Sequence, residues 1–212
     1  MFLFTMKFLD KCHFDELTEE LQKELSGIDC RRESKIERFF KEESLLSDSQ
    51  MLSHTYCFYE NVDNEDGSAQ KHAVAGFCVS CSNVATKLIP KSTRNKLNRK
   101  IPYGKQRDHY PAVMIGQLTV FDSYAGKGIG DEMMEKIKWW LVVENQNIAS
   151  RYIIVDAINK PQVLDFYIRN GFSFAFPDVN LEREYVGVQE NEILRTRFML
   201  FDLMPIRQAI YC

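Results

Sequence analysis

The chain has 212 residues, 45% apolar and 27% charged, the profile of a folded globular protein rather than a disordered one. At this length it can bury about 70% of its unfolded surface, enough for an ordinary core, and it reads as one domain over residues 1–212. Its formal charge is −3, and no segment approaches the roughly 18 uninterrupted apolar residues of a membrane span, so no membrane partner is expected.

Met1–Leu9 is apolar but short, with no basic start and no small-residue cleavage site, so it reads as a strand over 2–8 rather than a signal peptide. The expected location is therefore cytoplasmic. Residues 14–25 place Phe14, Leu17, Leu21 and Leu25 at helical spacing, and Ile36, Phe39, Phe40 and Leu45 mark a second amphipathic helix. Thr55–Tyr59 and Ala73–Val79 read as two strands, and the polar stretch between them makes an antiparallel hairpin. Val113–Val120 is a near-continuous apolar strand. A helix follows to about Asn145, with Ile129, Met133, Ile137 and Leu141 on one stripe, widened by Met134 and Trp140. Tyr152–Val155 is a short buried strand. Pro161 suits the start of a helix that carries Val163, Phe166 and Tyr167 inward and stops at Gly171. Phe172–Phe174 and Thr196–Phe201 extend again.

Cys12, Cys30, Cys57, Cys78, Cys81 and Cys212 are scattered, and only Cys78 and Cys81 have a ligand-like spacing. No second pair completes a four-ligand zinc site, and His13, His54, His72 and His109 stand in no spacing with them. Reduced, partly buried thiols and no metal are the expectation.

The most informative stretch joins the Val113–Val120 strand to its helix through Ala125, Gly126, Lys127, Gly128, Ile129 and Gly130. Glycine lets the backbone approach a ligand, and the free N–H groups of a helix's first turn attract an anion. A phosphate or pyrophosphate site is one reading, and a tight strand–helix turn with no ligand is the other. The segment lacks the Gly-Lys-Ser/Thr ending of a P-loop and the spacing of a dinucleotide fingerprint.

The order of strand, Gly-x-Gly-x-Gly turn, helix and strand, followed by Phe166-Tyr167-Ile-Arg-Asn-Gly171-Phe172, resembles the GCN5-related N-acetyltransferase superfamily. A wider match, Arg31 to about Phe174, is to the subfamily that includes the acetyltransferase toxins of bacterial toxin–antitoxin modules. The resemblance implies an α/β (α+β) fold in one domain, a mixed, mostly antiparallel twisted sheet of six to seven strands flanked by helices. It implies acetyl-CoA as cosubstrate and an amine as acceptor. Amides around Gly126, Lys127, Gly128, Ile129 and Gly130 would cradle the pyrophosphate. The strand end Leu118-Thr119-Val120 would pair with the pantetheine arm through the main chain of Leu118 and Val120. Tyr167 would donate a proton to the departing thiolate, as an ordinary phenol can at neutral pH; a core tyrosine beside Phe166 is the other reading of the same position. Asn159, with Lys160, is placed to reach the ribose or phosphate end, although a helix N-terminus accounts for that pair equally.

Two departures from the pattern stand out. Ala125 sits where the superfamily usually has Arg or Gln, and Gln117 replaces the arginine of the toxin-like Gly-Arg-Leu strand. Asp131 and Glu132 suit the helix dipole but would oppose phosphates if turned inward, so they are expected to face away. No general base is identified among Glu60, Asp108 and His109.

Residues 84–107 hold Lys87, Lys91, Arg94, Lys96, Arg99, Lys100, Lys105 and Arg107 with no acidic residue. This local charge fits aminoacyl-tRNA, the substrate class of the toxin-like relatives. It also fits a solvated connector or a lid over a small amine. A homodimer is compatible with the sequence, and a non-catalytic CoA-binding or interaction protein is the alternative from another class.

Overall fold

The computed structural model describes residues 7–63, 69–145, 149–189 and 192–211. Most of the strand expected over 2–8, and Cys212, lie outside them. Phe8–Lys11 form a 3-10 turn, β1 (His13–Glu16) follows, and α1 (Glu19–Glu24) starts where Thr18 Oγ1 accepts from the Leu21 amide at 3.2 Å. The helix expected from residue 14 thus begins at Glu19. Phe14 is in the strand instead, its ring stacked on Phe58 at 4.6 Å, so cross-strand aromatic pairing overrides the helical spacing.

β2 (Leu25–Ser26) leads to α2 (Ser34–Arg38), a π-helical turn over Phe39–Glu43, and α3 (Ser44–Ser49). β3 (His54–Asp63) and β4 (Ala69–Ala85) pair antiparallel, with a bulge at Phe58/Tyr59. Of the hairpin connection expected over residues 60–70, residues 60–63 and 69–70 instead extend the two strands, and 64–68 lie outside the described residues. α4 (Lys91–Arg99), β5 (His109–Val120), α5 (Ile129–Val143) and β6 (Tyr152–Ile158) come next. They are followed by α6 (Pro161–Arg169), β7 (Ser173–Phe174), α7 (Val179–Val186), β8 (Thr196–Asp202) and α8 (Met204–Tyr211).

The sheet runs β1-β3-β4-β5-β6-β8-β7, with the two-residue β2 paired to β4 off this path. β2–β4 and β5–β6 are parallel, whereas β1–β3, β3–β4, β6–β8 and β7–β8 are antiparallel. The mixed, mostly antiparallel sheet with flanking helices therefore stands as read. No helix among the described residues is long and apolar enough to cross a membrane.

Packing divides the chain into two compact units. The first comprises described residues of Met1–Ser80 and Ile115–Ile137, and its core gathers Leu17, Leu21, Ile28, Phe39, Phe40 and Phe121 around Cys57 and Cys78. Phe40 is edge-on to Phe39 and Phe121 at 5.5 and 5.4 Å. Its ring lies so close to β4 that a Cβ at Gly76 would come within 2.6 Å of it. The second unit comprises described residues of Cys81–Met114 and Lys138–Cys212, with Val84, Leu97, Tyr110, Tyr152, Ile154, Phe176 and Leu200 in its core. There the buried Arg197 Nε donates to Glu182 Oε2 at 2.5 Å and its Nη2 to the Phe176 carbonyl at 2.9 Å. Ile129, Met133, Met134, Ile137, Trp140 and Leu141 of α5 are all buried, as their spacing requires.

Candidate active site

β5 ends at Val120, the chain makes a 3-10 turn at Asp122–Tyr124, and α5 opens at Ile129. Gly126 and Gly128 both take φ of +79°, a conformation that a side chain strongly disfavours, with no heavy atom within 4 Å of where a Cβ would stand. Crowding therefore does not explain these glycines; the positive φ does, and it suits a tight turn with or without a ligand. The amides of Gly126, Lys127, Gly128, Ile129 and Gly130 have no hydrogen-bond acceptor among the described residues, whereas the Asp131 amide closes onto the Gly128 carbonyl at 3.1 Å. Five consecutive unpaired donors thus stand at the positive end of a fifteen-residue helix, with Gly126, Lys127 and Gly128 exposed. Such a row suits an anion with several oxygens.

The charged side chains of the turn are already engaged. Lys127 Nζ donates to the Ser123 carbonyl at 3.1 Å and lies 5.1 Å from the centre of the Tyr124 ring. Glu132 Oε2 accepts from the Leu9 amide at 3.1 Å, which holds its negative charge on the N-terminal segment. Ala125 is extended (φ −62°, ψ 147°) and brings no polar group.

The β5–β6 ladder covers only Ala112–Met114 of β5. The strand end at Leu118, Thr119 and Val120 lies outside it. Thr119 is buried, its Oγ1 3.4 Å from Cys30 Sγ, while Leu118 and Val120 are half-buried. The Gln117 amide donates to Cys78 Sγ at 3.1 Å, so this thiol supports the strand. The other cysteines of the described chain are free as well.

Tyr167 belongs to the second unit, on α6. It is buried, edge-on to Phe166 at 5.1 Å and Phe172 at 5.2 Å, and burial pushes its phenol up to about 12. No hydrogen-bond partner meets its hydroxyl among the described residues. α6 is fixed from below by Lys138, a buried lysine that sequence reading passed over. Its Nζ donates to the Asn170 carbonyl at the helix C-terminus at 2.6 Å and lies 4.3 Å from the Phe201 ring centre. Asn159 is committed elsewhere, its Nδ2 donating to the Leu194 carbonyl at 2.8 Å.

The residues weighed as bases also have partners. Glu60 accepts from the Tyr124 hydroxyl, Asp108 Oδ2 lies 2.7 Å from Lys87 Nζ, and His109 Nδ1 is 3.0 Å from Asn83 Oδ1. Asp156, the one acid in the apolar run of β6, went unremarked in the sequence; desolvation and the nearby Glu182 raise its carboxyl. His54 Nδ1 sits between Asp48 and Glu16, and His72 packs edge-on to Tyr124, so neither joins the thiols.

The basic segment is folded. α4 buries Thr93 and Leu97, and the Tyr110 hydroxyl donates to Asn98 Oδ1 at 2.7 Å, with the Gly104 carbonyl also within 3.1 Å. A cavity of about 270 Å³ in the first unit is lined by Gln22, Lys23, Gly27 and Asp29, away from the glycine turn in sequence. A second, of about 240 Å³, is lined by Asn95, Asn98, Arg99 and Lys105.

No family model matches the sequence, and no curated protein matches it. Solved structures do. A Tyr-to-Phe mutant of KacT aligns over 94% of this chain and 99% of its own, at 18% identity and a TM-score of 0.66. AtaT complexed with acetyl-methionyl-tRNAfMet aligns over 94% and 99%, at 16% identity and a TM-score of 0.64. AtaTR bound with AcCoA aligns over 95% and 99%, at 18% identity and a TM-score of 0.63. At these identities the likeness is one of fold, and that fold is the GCN5-related N-acetyltransferase fold.

Proposed function

We propose that this chain is an N-acetyltransferase that moves an acetyl group from acetyl-CoA directly to a primary amine. The observation that carries the reading is the row of five unpaired amides at Gly126–Gly130, exposed over Gly126–Gly128 and standing at the N-terminus of α5. A pyrophosphate supplies the oxygens such a row takes up. Because Ala125 contributes no polar group and Lys127 is held by Ser123 and Tyr124, affinity rests mainly on main-chain donors. The β5–β6 ladder covers β5 only as far as Met114, so beyond it the main chain at Leu118 and Val120 suits an added, strand-like pantetheine arm.

In the reaction the amine nitrogen attacks the thioester carbonyl carbon, the C–S bond breaks, and the nitrogen releases a proton to water or a nearby base. Tyr167, protonated at neutral pH, donates to the sulfur that gains the electron pair and is reprotonated from solvent. Titration calorimetry with CoA and acetyl-CoA tests the reading, with a micromolar Kd as the expected result. Absence of heat at millimolar CoA overturns it. Binding without turnover across an amine panel would leave a CoA-binding protein in its place.

A second, finer reading makes aminoacyl-tRNA the acceptor. It is favoured by the α4 cavity, whose lining pairs two amide side chains with two cations, and by the fold shared with AtaT, solved in complex with acetyl-methionyl-tRNAfMet.

A further inference from the structure

Little inside the glycine turn holds its shape beyond the Lys127–Ser123 bond and the closure of the Asp131 amide onto the Gly128 carbonyl. Gly126 and Gly128 have open space beside them, and the five amides make no internal bond. An anion site built from main-chain donors works only if the donors already converge, so the rigidity has to come from outside the turn.

The fixed points lie just upstream. The Phe121 amide donates to the Val74 carbonyl of β4 at 3.0 Å, and the Asp122 amide to the Asp29 carbonyl at 3.0 Å. Asp122 Oδ2 accepts from the Arg31 amide at 3.0 Å. Nearest the glycines is Tyr124, buried, with its hydroxyl donating to Glu60 Oε1 on β3. Its ring meets Phe8 at 5.7 Å and His72 at 5.5 Å, and Lys127 of the turn itself lies over its face. Burial and the Glu60 carboxylate raise the Tyr124 phenol, so it remains a donor at every working pH. The side chain two residues before Gly126 is thus tied at its tip to the sheet, and the side chain one residue after Gly126 rests on its ring.

We propose that Tyr124 and Glu60 form the positioning pair of this anion site: the phenol–carboxylate bond sets where residues 125–130 leave the sheet, and so where their amides point. The proposal rests on the acetyl-CoA reading for the ligand, but not for the geometry. Neither residue touches the anion. Both act through the main chain of the turn.

The test compares wild type with Tyr124→Phe, Glu60→Leu and Glu60→Gln by calorimetry with CoA and by steady-state kinetics. Tyr124→Phe and Glu60→Leu should each weaken CoA about tenfold, the order of one lost hydrogen bond to a charged group. The loss should fall on KM for acetyl-CoA more than on kcat. Glu60→Gln keeps an acceptor oxygen and should hold affinity within about threefold, and the double variant Tyr124→Phe/Glu60→Leu should be no worse than either single one. Amide NMR shifts of Gly126, Gly128 and Gly130 in the ligand-free protein provide a readout that needs no CoA, and they should move in Tyr124→Phe. Unchanged shifts in Tyr124→Phe, or Tyr124→Phe and Glu60→Leu variants that bind CoA as tightly as a wild type that binds it, overturn the proposal. Moved shifts in a protein that never binds CoA support the positioning pair and sink the cofactor reading instead.

Discussion

At Tyr167 burial has two effects on one hydroxyl. It raises the phenol to about 12, above the ordinary value of about 10, and it packs the ring between Phe166 and Phe172 so that the oxygen has a fixed position. Removing only that oxygen in Tyr167→Phe should lower kcat at least about a hundredfold, the usual scale for a lost general acid, with CoA affinity within about twofold of wild type. Kinetics and calorimetry on the same preparation separate the two. The pH dependence has a definite sign. The folded protein holds this proton more tightly than the unfolded chain, so the contribution to stability is complete below pH ~10 and declines as pH rises from about 10 towards about 12. No loss of rate from Tyr167 should therefore appear in a pH–rate profile below about pH 10. A fall in kcat near neutrality that Tyr167→Phe abolishes would argue against the assignment.

Among elements, α6 depends on a partner that lies 32 residues earlier in the chain. Lys138 of α5 donates to the carbonyl of Asn170, where a cation also complements the negative end of the helix dipole, and its Nζ lies 5.8 and 4.3 Å from the ring centres of Phe172 and Phe201. Lys138→Met keeps the stem and loses the bond, so it should destabilise the fold by about 2 kcal/mol, read as a lower denaturant midpoint. An unchanged midpoint would show that the helix needs no such hold. The same contrast explains what could be read in advance. α5 and α6 declare themselves through periodic apolar positions, and the glycine turn through residue type. Phe14 misled because a three-residue spacing to Leu17 cannot reveal a ring stacked on Phe58. α7 had its signals in view, Asp178 capping the Asn180 amide at 2.8 Å and Gly187 ending the helix at φ +72°, but no strong apolar stripe marked the residues between. The pairs Lys138–Asn170 and Tyr124–Glu60 had no local signal, because tertiary packing alone brings their residues together.

Over the whole molecule, a formal charge of −3 coexists with a folded positive face on and around α4. Thr93 and Leu97, four apart and buried, fix which side of the helix turns inward, and leave Lys91, Lys96 and Arg99 exposed, with Lys105 and Arg107 exposed just beyond. Lys87 and Lys100 are poorer partners for a polyanion. The first lies 2.7 Å from Asp108 and the second 3.8 Å from Asp202. Lys96, Arg99 and Lys105 have no carboxylate partner among the described residues, and two of them line the cavity with Asn95 and Asn98. If aminoacyl-tRNA is the acceptor, a Lys96→Ala/Arg99→Ala/Lys105→Ala variant should bind tRNA more weakly at every salt concentration. Its log–log salt slope should be shallower by about 2–3, one counterion term for each phosphate contact removed. CoA affinity should be unaffected, because the proposed pyrophosphate site rests on main-chain donors of the glycine turn and on none of these three side chains. Fluorescence anisotropy with tRNA across a salt series measures the slope directly. An identical slope in wild type and variant would take the nucleic acid away from α4, and the net negative charge of the chain would then favour a small cationic amine as the acceptor.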